Sequence, residues 1–397
     1  MTYTTAATVW TESTRLRANP AYDVVSRDAL PPALDAVSRA LEGTPELFGV
    51  ALPRDPSRQT AKALDCDTAL LLLTLREPAT LPWFARAKLG HRASPMIEAL
   101  ILDGVLEVER GGAFVSGPAA LADAAEFAPP DARPARLSRA ALAYGAALAL
   151  GDAPALARRL YCYHTVPLSP AWQTALIDRA AVERFLRLDG GDTRRALTRH
   201  WKPAPRSSRG SEEHWLWWDV RRRDHTRRVD AAYKLYVSCA TERLADALGA
   251  VVDVLARRGG VPFKVGASAG GLLRPDKLVI YVDRLDEVLA IGAALRSALH
   301  GIPAHGVPFT APITADGLLS WGIDPPRAAL GVMSTRRQSW RARLTMSLAT
   351  SLAAARRDGA GVGTAVRFAV ERIRRDGVDP ETWAPRSHEW EAMAADD

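Results

Sequence analysis

The chain has 397 residues and a mass of 42.9 kDa, more than one hydrophobic core usually serves, so two or three packed units are expected. Hydrophobic residues make up 48% of it and charged residues 24%, which excludes a disordered chain and is typical of a globular protein. The formal net charge is +7. No eighteen-residue run is uninterrupted by polar residues, so a membrane span is not expected.

The amino-terminal residues and the cysteines indicate a compartment. The first twenty residues lack the basic and apolar segments of a secretory signal. The three cysteines, Cys66, Cys162 and Cys239, are too few and too scattered for a disulfide framework or a zinc cage. We therefore expect a protein of the reducing cytoplasm, with no metal and no cofactor.

The first 118 residues predict two regions. Residues 1–60 form a mixed region with two short helices, one of them around residues 33–41. Residues 61–118 predict helices over 68–75, 81–89 and 95–103 and then a hairpin over 105–115, turned by Gly111 and Gly112. This order is that of a winged-helix-like unit.

A winged-helix-like unit has several known uses, and the sequence leaves three of them open. Its third helix could read the major groove of DNA, although it offers only a few polar side chains: His91, Arg92, Ser94 and Glu98. Alternatively, a leader peptide could add a strand to the hairpin, as in enzymes that modify ribosomally made peptides. The third alternative is packing alone.

Residues 119–230 predict a helical connector, with helices over 138–150, 155–161 and 180–188. Its last part is a basic strip rich in tryptophan and arginine. Eleven Lys and Arg residues stand against five acids over 194–230, which accounts for +6 of the net charge. The strip suits a phosphorylated or acidic ligand or a nucleic acid, or it is a solvated connector. Trp215, Trp217 and Trp218 are either buried anchors or a stacking platform.

Strands and helices alternate from residue 231 onward, so residues 231–397 predict an α+β domain with a small sheet and C-terminal helices. Strands are predicted over 234–238, 262–265 and 277–282, and helices over 241–258 and 285–299. With the winged-helix-like and helical region before it, the whole chain is predicted to be α+β.

Each of the three strands carries one lysine, Lys234, Lys264 and Lys277, in an apolar setting. A lone strand lysine is usually a solvated edge residue. Three that converge would disfavour one another's charge, so that the most desolvated amine becomes a neutral base beside ammonium groups that hold an anion. The period of two places Lys234 and Tyr236 on one face.

The motifs of this segment occur in the order Lys-Leu-Tyr-Val-Ser, Pro-Phe-Lys-Val, a glycine-rich loop, Asp-Lys-Leu-Val-Ile-Tyr-Val and Asp-Gly-Leu-Leu-Ser-Trp-Gly. In this order they resemble the phosphopeptide lyase module of lanthipeptide synthetases. The resemblance is closest to the stand-alone lyase-like subunits of class V lanthipeptide and thioamitide pathways, which are similar to a type III effector family of plant pathogens. It covers residues 231–345.

The resemblance implies β-elimination of phosphate from phosphoserine or phosphothreonine in a precursor peptide, giving dehydroalanine or dehydrobutyrine. A separate kinase subunit would install the phosphate. Lys234 would take the Cα proton, and Tyr236 stands where the family has a histidine as general acid. The phosphate-binding residues that the resemblance implies are Lys264, Lys277, Arg341 and Arg343. His300 and His305 are the nearest alternatives in the sequence for the acid, although a surface position is the simpler interpretation of each.

Two rival functions belong to other classes. The chain could be a non-catalytic subunit that binds a precursor or leader peptide, with Tyr236 marking lost chemistry. It could also be a winged-helix DNA-binding regulator. The expected partners of the lyase are the phosphorylated precursor peptide and the kinase, and neither a membrane nor a nucleic acid is expected.

Overall fold

The computed structural model describes residues 9–34, 38–39, 46–56, 61–90, 93–121, 130–148, 150–204, 215–221, 233–325 and 339–386. It combines helices with antiparallel sheets, so the predicted α+β class is confirmed. Within this part of the chain, no helix is long and apolar enough to cross a membrane.

In the described residues, the N-terminal third forms two three-stranded sheets, short 3-10 helices and three longer α-helices. Its elements are β1 (Leu16–Ala18), β2 (Tyr22–Ser26), β3 (Leu47–Pro53), β4 (Lys62–Asp65), α1 (Cys66–Thr74), α2 (Trp83–Leu89), α3 (Ala93–Leu102), β5 (Leu106–Arg110) and β6 (Ala113–Val115). The sheets have the strand orders β1-β5-β6 and β2-β3-β4.

The described parts of residues 1–60 contain two short 3-10 helices, Arg27–Ala29 and Pro32–Leu34, and residues 38–39 are helical. They also contain strands β1, β2 and β3, which the sequence analysis did not predict, because antiparallel pairing with partners along the chain, such as Val25 opposite Val50, satisfies their backbone groups. Such pairing leaves no local signal in the sequence. Most of the helix predicted around 33–41 lies outside the described residues.

The predicted three helices and hairpin follow in order as α1, α2, α3 and β5–β6. The Asp65 carboxylate accepts a hydrogen bond from the Thr68 N–H at 2.6 Å and caps α1. Gly111 and Gly112 take positive φ angles of 56° and 82°, as the tight hairpin turn requires. The prediction did not include β1, which joins the hairpin on the β5 side.

The middle of the chain is helical, as predicted, and is covered by two C-terminal helices. Its elements are α4 (Arg133–Ala147), α5 (Ala153–Tyr161), α6 (Pro170–Ala175), α7 (Arg179–Phe185) and α8 (Gly191–His200), followed near the C terminus by α12 (Trp340–Arg357) and α13 (Val362–Arg375). Helix α12 packs against α5 and α13, and α13 packs against α4 and α3. Glu98 on α3 forms an ion pair with Arg375 on α13.

A seven-stranded antiparallel sheet forms the C-terminal half, with the order β12-β13-β9-β11-β10-β8-β7. Its elements are β7 (Trp201–Pro203), β8 (Trp215–Val220), β9 (Tyr233–Val237), α9 (Leu244–Arg257), β10 (Phe263–Gly266), α10 (Ala269–Leu272), β11 (Leu278–Val282), α11 (Leu285–Ala298), β12 (Ala311–Pro312) and β13 (Leu319–Ile323).

Two strands of this sheet come from the segment that the sequence analysis assigned to the connector. β7 and β8 lie in residues 201–220, so the sheet begins before residue 231 and is larger than expected. The period of two in Trp215-Leu216-Trp217-Trp218 explains why: Leu216 and Trp218 are buried on one face, while Trp215 and Trp217 are half-buried on the other. Residues 205–214 and 222–232 of the basic strip lie outside the described residues.

The two faces of the large sheet differ. One face is apolar: Leu235, Phe263 and Ile280 are fully buried there, and α11 packs on β9, β11 and β13 with α9 beside it. The opposite face carries polar and aromatic side chains and is the candidate site.

Candidate functional site

The strand register brings Lys234, Tyr236 and Lys264 to one face of the sheet. Lys264 lies opposite Val279, which lies opposite Tyr236, and Lys234 lies opposite Tyr281 in the next row. Residues opposite each other in an antiparallel pair share a face. The predicted common face of Lys234 and Tyr236 is thus present, and Lys264 shares it.

Aromatic rings surround the Lys264 amine. Its Nζ lies 4.0 Å from the ring centroid of Trp215, 4.7 Å from that of Trp217 and 5.9 Å from that of Tyr281. Burial, with the neighbouring charge of Lys234, lowers the pKa of Lys264 to about 7. The amine makes no hydrogen bond or ion pair with any residue that the structure describes. A substantial fraction is therefore neutral near pH 7.

Lys234 has the opposite character. Its Nζ donates to Asp324 Oδ1 at 2.6 Å, in an ion pair at the end of β13. Asp324 Oδ1 also accepts the Trp340 N–H at 3.1 Å, where α12 begins. An adjacent carboxylate stabilises the ammonium form. The sequence analysis assigned the base to Lys234, whose amine is held in this ion pair, and an anion-binding role to Lys264, whose amine has no partner among the described residues.

Asp276 is the centre of a buried charge cluster beside this face. The side chain is 6% exposed and accepts hydrogen bonds from Arg274 Nε and Nη2, both at 2.8 Å, and Arg341 Nη1 lies 2.8 Å from Oδ2. Burial alone would raise the pKa of Asp276, but the charges of Arg341 and Arg274 outweigh it and hold this pKa well below its usual range. Two guanidinium groups thus share one carboxylate.

Tyr161 and Trp215 order the two arginines. The guanidinium carbons of Arg341 and Arg274 lie 4.4 and 5.1 Å from the Tyr161 ring centroid, and that of Arg274 lies 5.2 Å from the Trp215 centroid. The Arg274 side chain is 24% exposed, while that of Arg341 is 1% exposed. Of the two, Arg274 is therefore the one that can reach a ligand.

Arg341 does not have the role that the resemblance implied. Besides its ion pair with Asp276, it donates from Nε to the Pro308 carbonyl at 3.1 Å and from Nη2 to the Tyr161 carbonyl at 2.8 Å. These contacts tie the start of α12 to the sheet and leave no exposed donor for a phosphate. Arg343, on the same helix, lies near Asp376 at the end of α13, and burial lowers its pKa.

Lys277 is not brought together with the other two lysines. It is fully buried, and its Nζ donates to the Cys239 carbonyl at 2.9 Å, to Thr241 Oγ1 at 3.2 Å and to His305 Nδ1 at 2.9 Å. Burial lowers its pKa to about 8. All three donors of the ammonium are occupied, so the implied phosphate-binding role is not supported.

The two histidines do not reach the lysine and tyrosine face as acids. His305 Nδ1 accepts from Lys277, so its proton is on Nε2, which donates to the His164 carbonyl at 2.8 Å. Burial, with the charge of Lys277, lowers the pKa of His305 to about 3. At neutral pH this imidazole is neutral and structural. His300 is exposed just after α11.

Tyr236 keeps its proton at any ordinary pH. Burial, together with the Asp324 carboxylate, raises its pKa well above 10, and burial does the same for Tyr281. The Tyr236 hydroxyl can donate a hydrogen bond, but it is a weaker acid than a free phenol.

The sequence analysis gave no functional role to three residues of this site: Arg274, Asp276 and Asp324. Asp324 comes directly after β13, and a carboxylate at the end of an apolar strand could have indicated a partner for a lysine on the neighbouring strand. No group of three or more His, Cys, Asp or Glu side chains in the described residues could hold a metal ion.

Comparisons with known proteins give distant structural neighbours only. No protein-family model and no curated protein matches the chain. An effector protein from Pseudomonas syringae pv. tomato strain DC3000 has 16% identity and a TM-score of 0.40, over 64% of this chain and 99% of its own. One from Pseudomonas syringae pv. syringae strain 61 has 17% identity and a TM-score of 0.36, over 64% and 98%. Effector proteins are thus among the structural neighbours, at TM-scores too low to carry an argument about function.

Proposed function

We propose that this chain is a phosphopeptide lyase that removes phosphate from phosphoserine or phosphothreonine of a ribosomally made precursor peptide. The observation that carries the proposal is Lys264: a half-buried lysine whose amine faces aromatic rings, has a pKa of about 7 and no partner among the described residues, and lies next to other cations. A base of this kind is what abstraction of a weakly acidic Cα proton requires.

The charges around Lys264 favour an anionic substrate. Three cationic side chains around the neutral Lys264 amine, Lys234, Arg274 and Arg341, face two carboxylates, Asp276 and Asp324. The excess positive charge would attract a phosphate ester and stabilise the charge that develops on it as it leaves. Asp276 acts as a positioning residue, because it holds Arg274 against Trp215.

The proposed step is a β-elimination. The neutral Lys264 amine takes the proton from Cα, and the electron pair of the C–H bond forms the Cα=Cβ double bond. The Cβ–O bond breaks, and its electron pair leaves with the phosphate oxygen. The products are inorganic phosphate and dehydroalanine from serine, or dehydrobutyrine from threonine. Phosphate needs little protonation to leave, so the Tyr236 hydroxyl serves as a hydrogen-bond donor.

The partners of such an enzyme are a precursor peptide and a kinase that phosphorylates it. The phosphate must be installed before the chain acts, because it is the leaving group of the elimination. The base and the cations of the site serve its removal.

The test is elimination from a synthetic phosphothreonine peptide, followed by mass spectrometry for loss of the phosphate together with a new double bond. We expect turnover by the wild type and a fall of about 10²- to 10⁴-fold in Lys264→Met, the range of a general base. Lys202→Met, which changes an exposed lysine of the same sheet, is the matched control and should retain full activity. Unchanged elimination in Lys264→Met would show that Lys264 is not the base.

A non-catalytic peptide-binding subunit is the second candidate. It is favoured by the commitment of Arg341 and Lys277 to buried partners, which leaves fewer cations for phosphate than the resemblance implied. Binding of the phosphopeptide without elimination, in the presence of a kinase that phosphorylates it, would support this function and exclude the first.

A further inference from the structure

The chain has only six lysines, which makes the isolation of Lys264 informative. Five of them, Lys62, Lys88, Lys202, Lys234 and Lys277, are paired with carboxylates, engaged in hydrogen bonds or exposed to solvent. Lys264 differs because aromatic rings cover its amine and no described carboxylate contacts it. A desolvated lysine beside other cations is the kind that forms imines with carbonyl compounds.

Two cations lie against the same rings as Lys264. Lys264 Nζ and Arg274 Cζ lie 4.0 and 5.2 Å from the ring centroid of Trp215. Lys264 Nζ and Lys234 Nζ lie 5.9 and 5.6 Å from the ring centroid of Tyr281. The nucleophilic amine is therefore flanked by a guanidinium and an ammonium. This arrangement suits a small ligand with a carbonyl at one end and a phosphate at the other.

We propose that Lys264 captures phosphorylated aldehydes as a reversible imine, with Arg274 and Lys234 holding the phosphate and Trp215 and Trp217 packing on the carbon skeleton. The inference uses Lys264, Lys234 and Arg274, which also belong to the proposed lyase site, and in that sense it rests on the proposed function. It needs only the amine and the cations, and no proton is taken from carbon. The ligand class is defined by two groups, an aldehyde and a phosphate monoester.

The covalent step balances with water as the only by-product. The Lys264 nitrogen lone pair attacks the aldehyde carbon, so that a C–N bond forms and the carbonyl electron pair moves to oxygen. The nitrogen loses one proton and the oxygen gains two, one of them from solvent. Water then leaves with the C–O electron pair as the nitrogen lone pair forms the C=N bond, so the product is the protonated imine, and hydrolysis by water reverses each step. The phosphate charge offsets the cations around the protonated imine.

The test uses pyridoxal 5′-phosphate as the probe and pyridoxal as its matched control without phosphate. The full-length protein is incubated with each at pH 8, reduced with borohydride, digested, and its labelled lysines are identified by mass spectrometry. We expect saturable labelling at Lys264 by pyridoxal 5′-phosphate, at least about tenfold faster than by pyridoxal, because one charge-assisted phosphate contact contributes that much. Inorganic phosphate should slow the labelling of Lys264 and leave that of Lys202 unchanged.

Variants then separate the amine from the anion site. Lys264→Met should lose the saturable label while Lys202 still reacts slowly, and Arg274→Gln should bring the two probes to similar rates. Phosphate competition on the wild type tests the same point if Arg274→Gln fails to fold. Labelling spread evenly over the six lysines, or pyridoxal reacting as fast as its phosphate, would overturn the inference.

A parallel elimination assay distinguishes this inference from the proposed function. Selective, phosphate-dependent labelling of Lys264 without elimination would sustain the inference and remove the lyase. Elimination that depends on Lys264, without selective labelling, would do the reverse.

Discussion

Lys264 and Lys277 lie on or beside neighbouring strands of one sheet; Lys277 is fully buried and Lys264 half-buried, and the protein surrounds their amines in opposite ways. The Lys277 amine donates hydrogen bonds to a carbonyl, a hydroxyl and an imidazole, whereas the Lys264 amine faces aromatic rings. Burial lowers the pKa of Lys277 to about 8 and that of Lys264 to about 7. The difference teaches that a lowered pKa alone does not mark a functional lysine, and that the hydrogen-bond partners decide whether the amine is structural or reactive.

The largest expected effect separates the two lysines by stability. Lys277→Met leaves the Cys239 carbonyl and the His305 Nδ1 without their buried donor, so we expect the free energy of unfolding to fall by about 2 to 4 kcal/mol. Lys264→Met removes a half-buried amine without partners among the described residues and should leave this free energy unchanged or raise it. Urea denaturation of both variants measures the difference, and equal destabilisation of the two would contradict the comparison.

The pH dependence of elimination should follow Lys264. Only the neutral amine can accept a proton, so kcat/KM is expected to rise with pH through about 7 and then level off. Because its pKa in the folded protein is lower than the ordinary value of 10.5, the unfolded chain binds the extra proton between these values, and stability rises with pH over that interval. A rate that falls as the pH increases from 6 to 8 would exclude a neutral amine as the base.

Lys234 should tune this titration. Its positive charge lowers the pKa of Lys264, so Lys234→Met is expected to move the midpoint of the pH–rate profile to higher pH. Lys202→Met, which changes an exposed lysine two strands away from Lys264, on β7, should leave the midpoint in place. An unchanged midpoint in Lys234→Met would show that the two amines do not interact.

The smallest effect is expected at Tyr236. Because its hydroxyl keeps its proton and phosphate leaves readily, Tyr236→Phe should reduce the elimination rate less than about tenfold, below the range of a general acid. Steady-state kinetics with the phosphothreonine peptide measure this, and a larger loss, restored by Tyr236→His, would assign the acid to this position.

The α+β class, the order of the helices and the common face of Lys234 and Tyr236 could be predicted from the sequence, because periods of 3.6 and 2 are local properties. The identity of the neutral lysine could not. It depends on Asp324, ninety positions beyond Lys234, and on Trp215 and Trp217, which reach Lys264 only through the β8–β10 register. The hydrogen bonding of Lys277 likewise depends on His305, which lies in the loop before β12 and accepts a hydrogen bond from the lysine amine.

The start of α12 has a mechanical consequence. Trp340 donates its N–H to Asp324, and Arg341 binds Asp276, so consecutive residues hold the carboxylates that restrain Lys234 and Arg274. A displacement of this helical turn would weaken both contacts at once. Lys234 and Arg274, the two cations near the Lys264 amine, would then shift together.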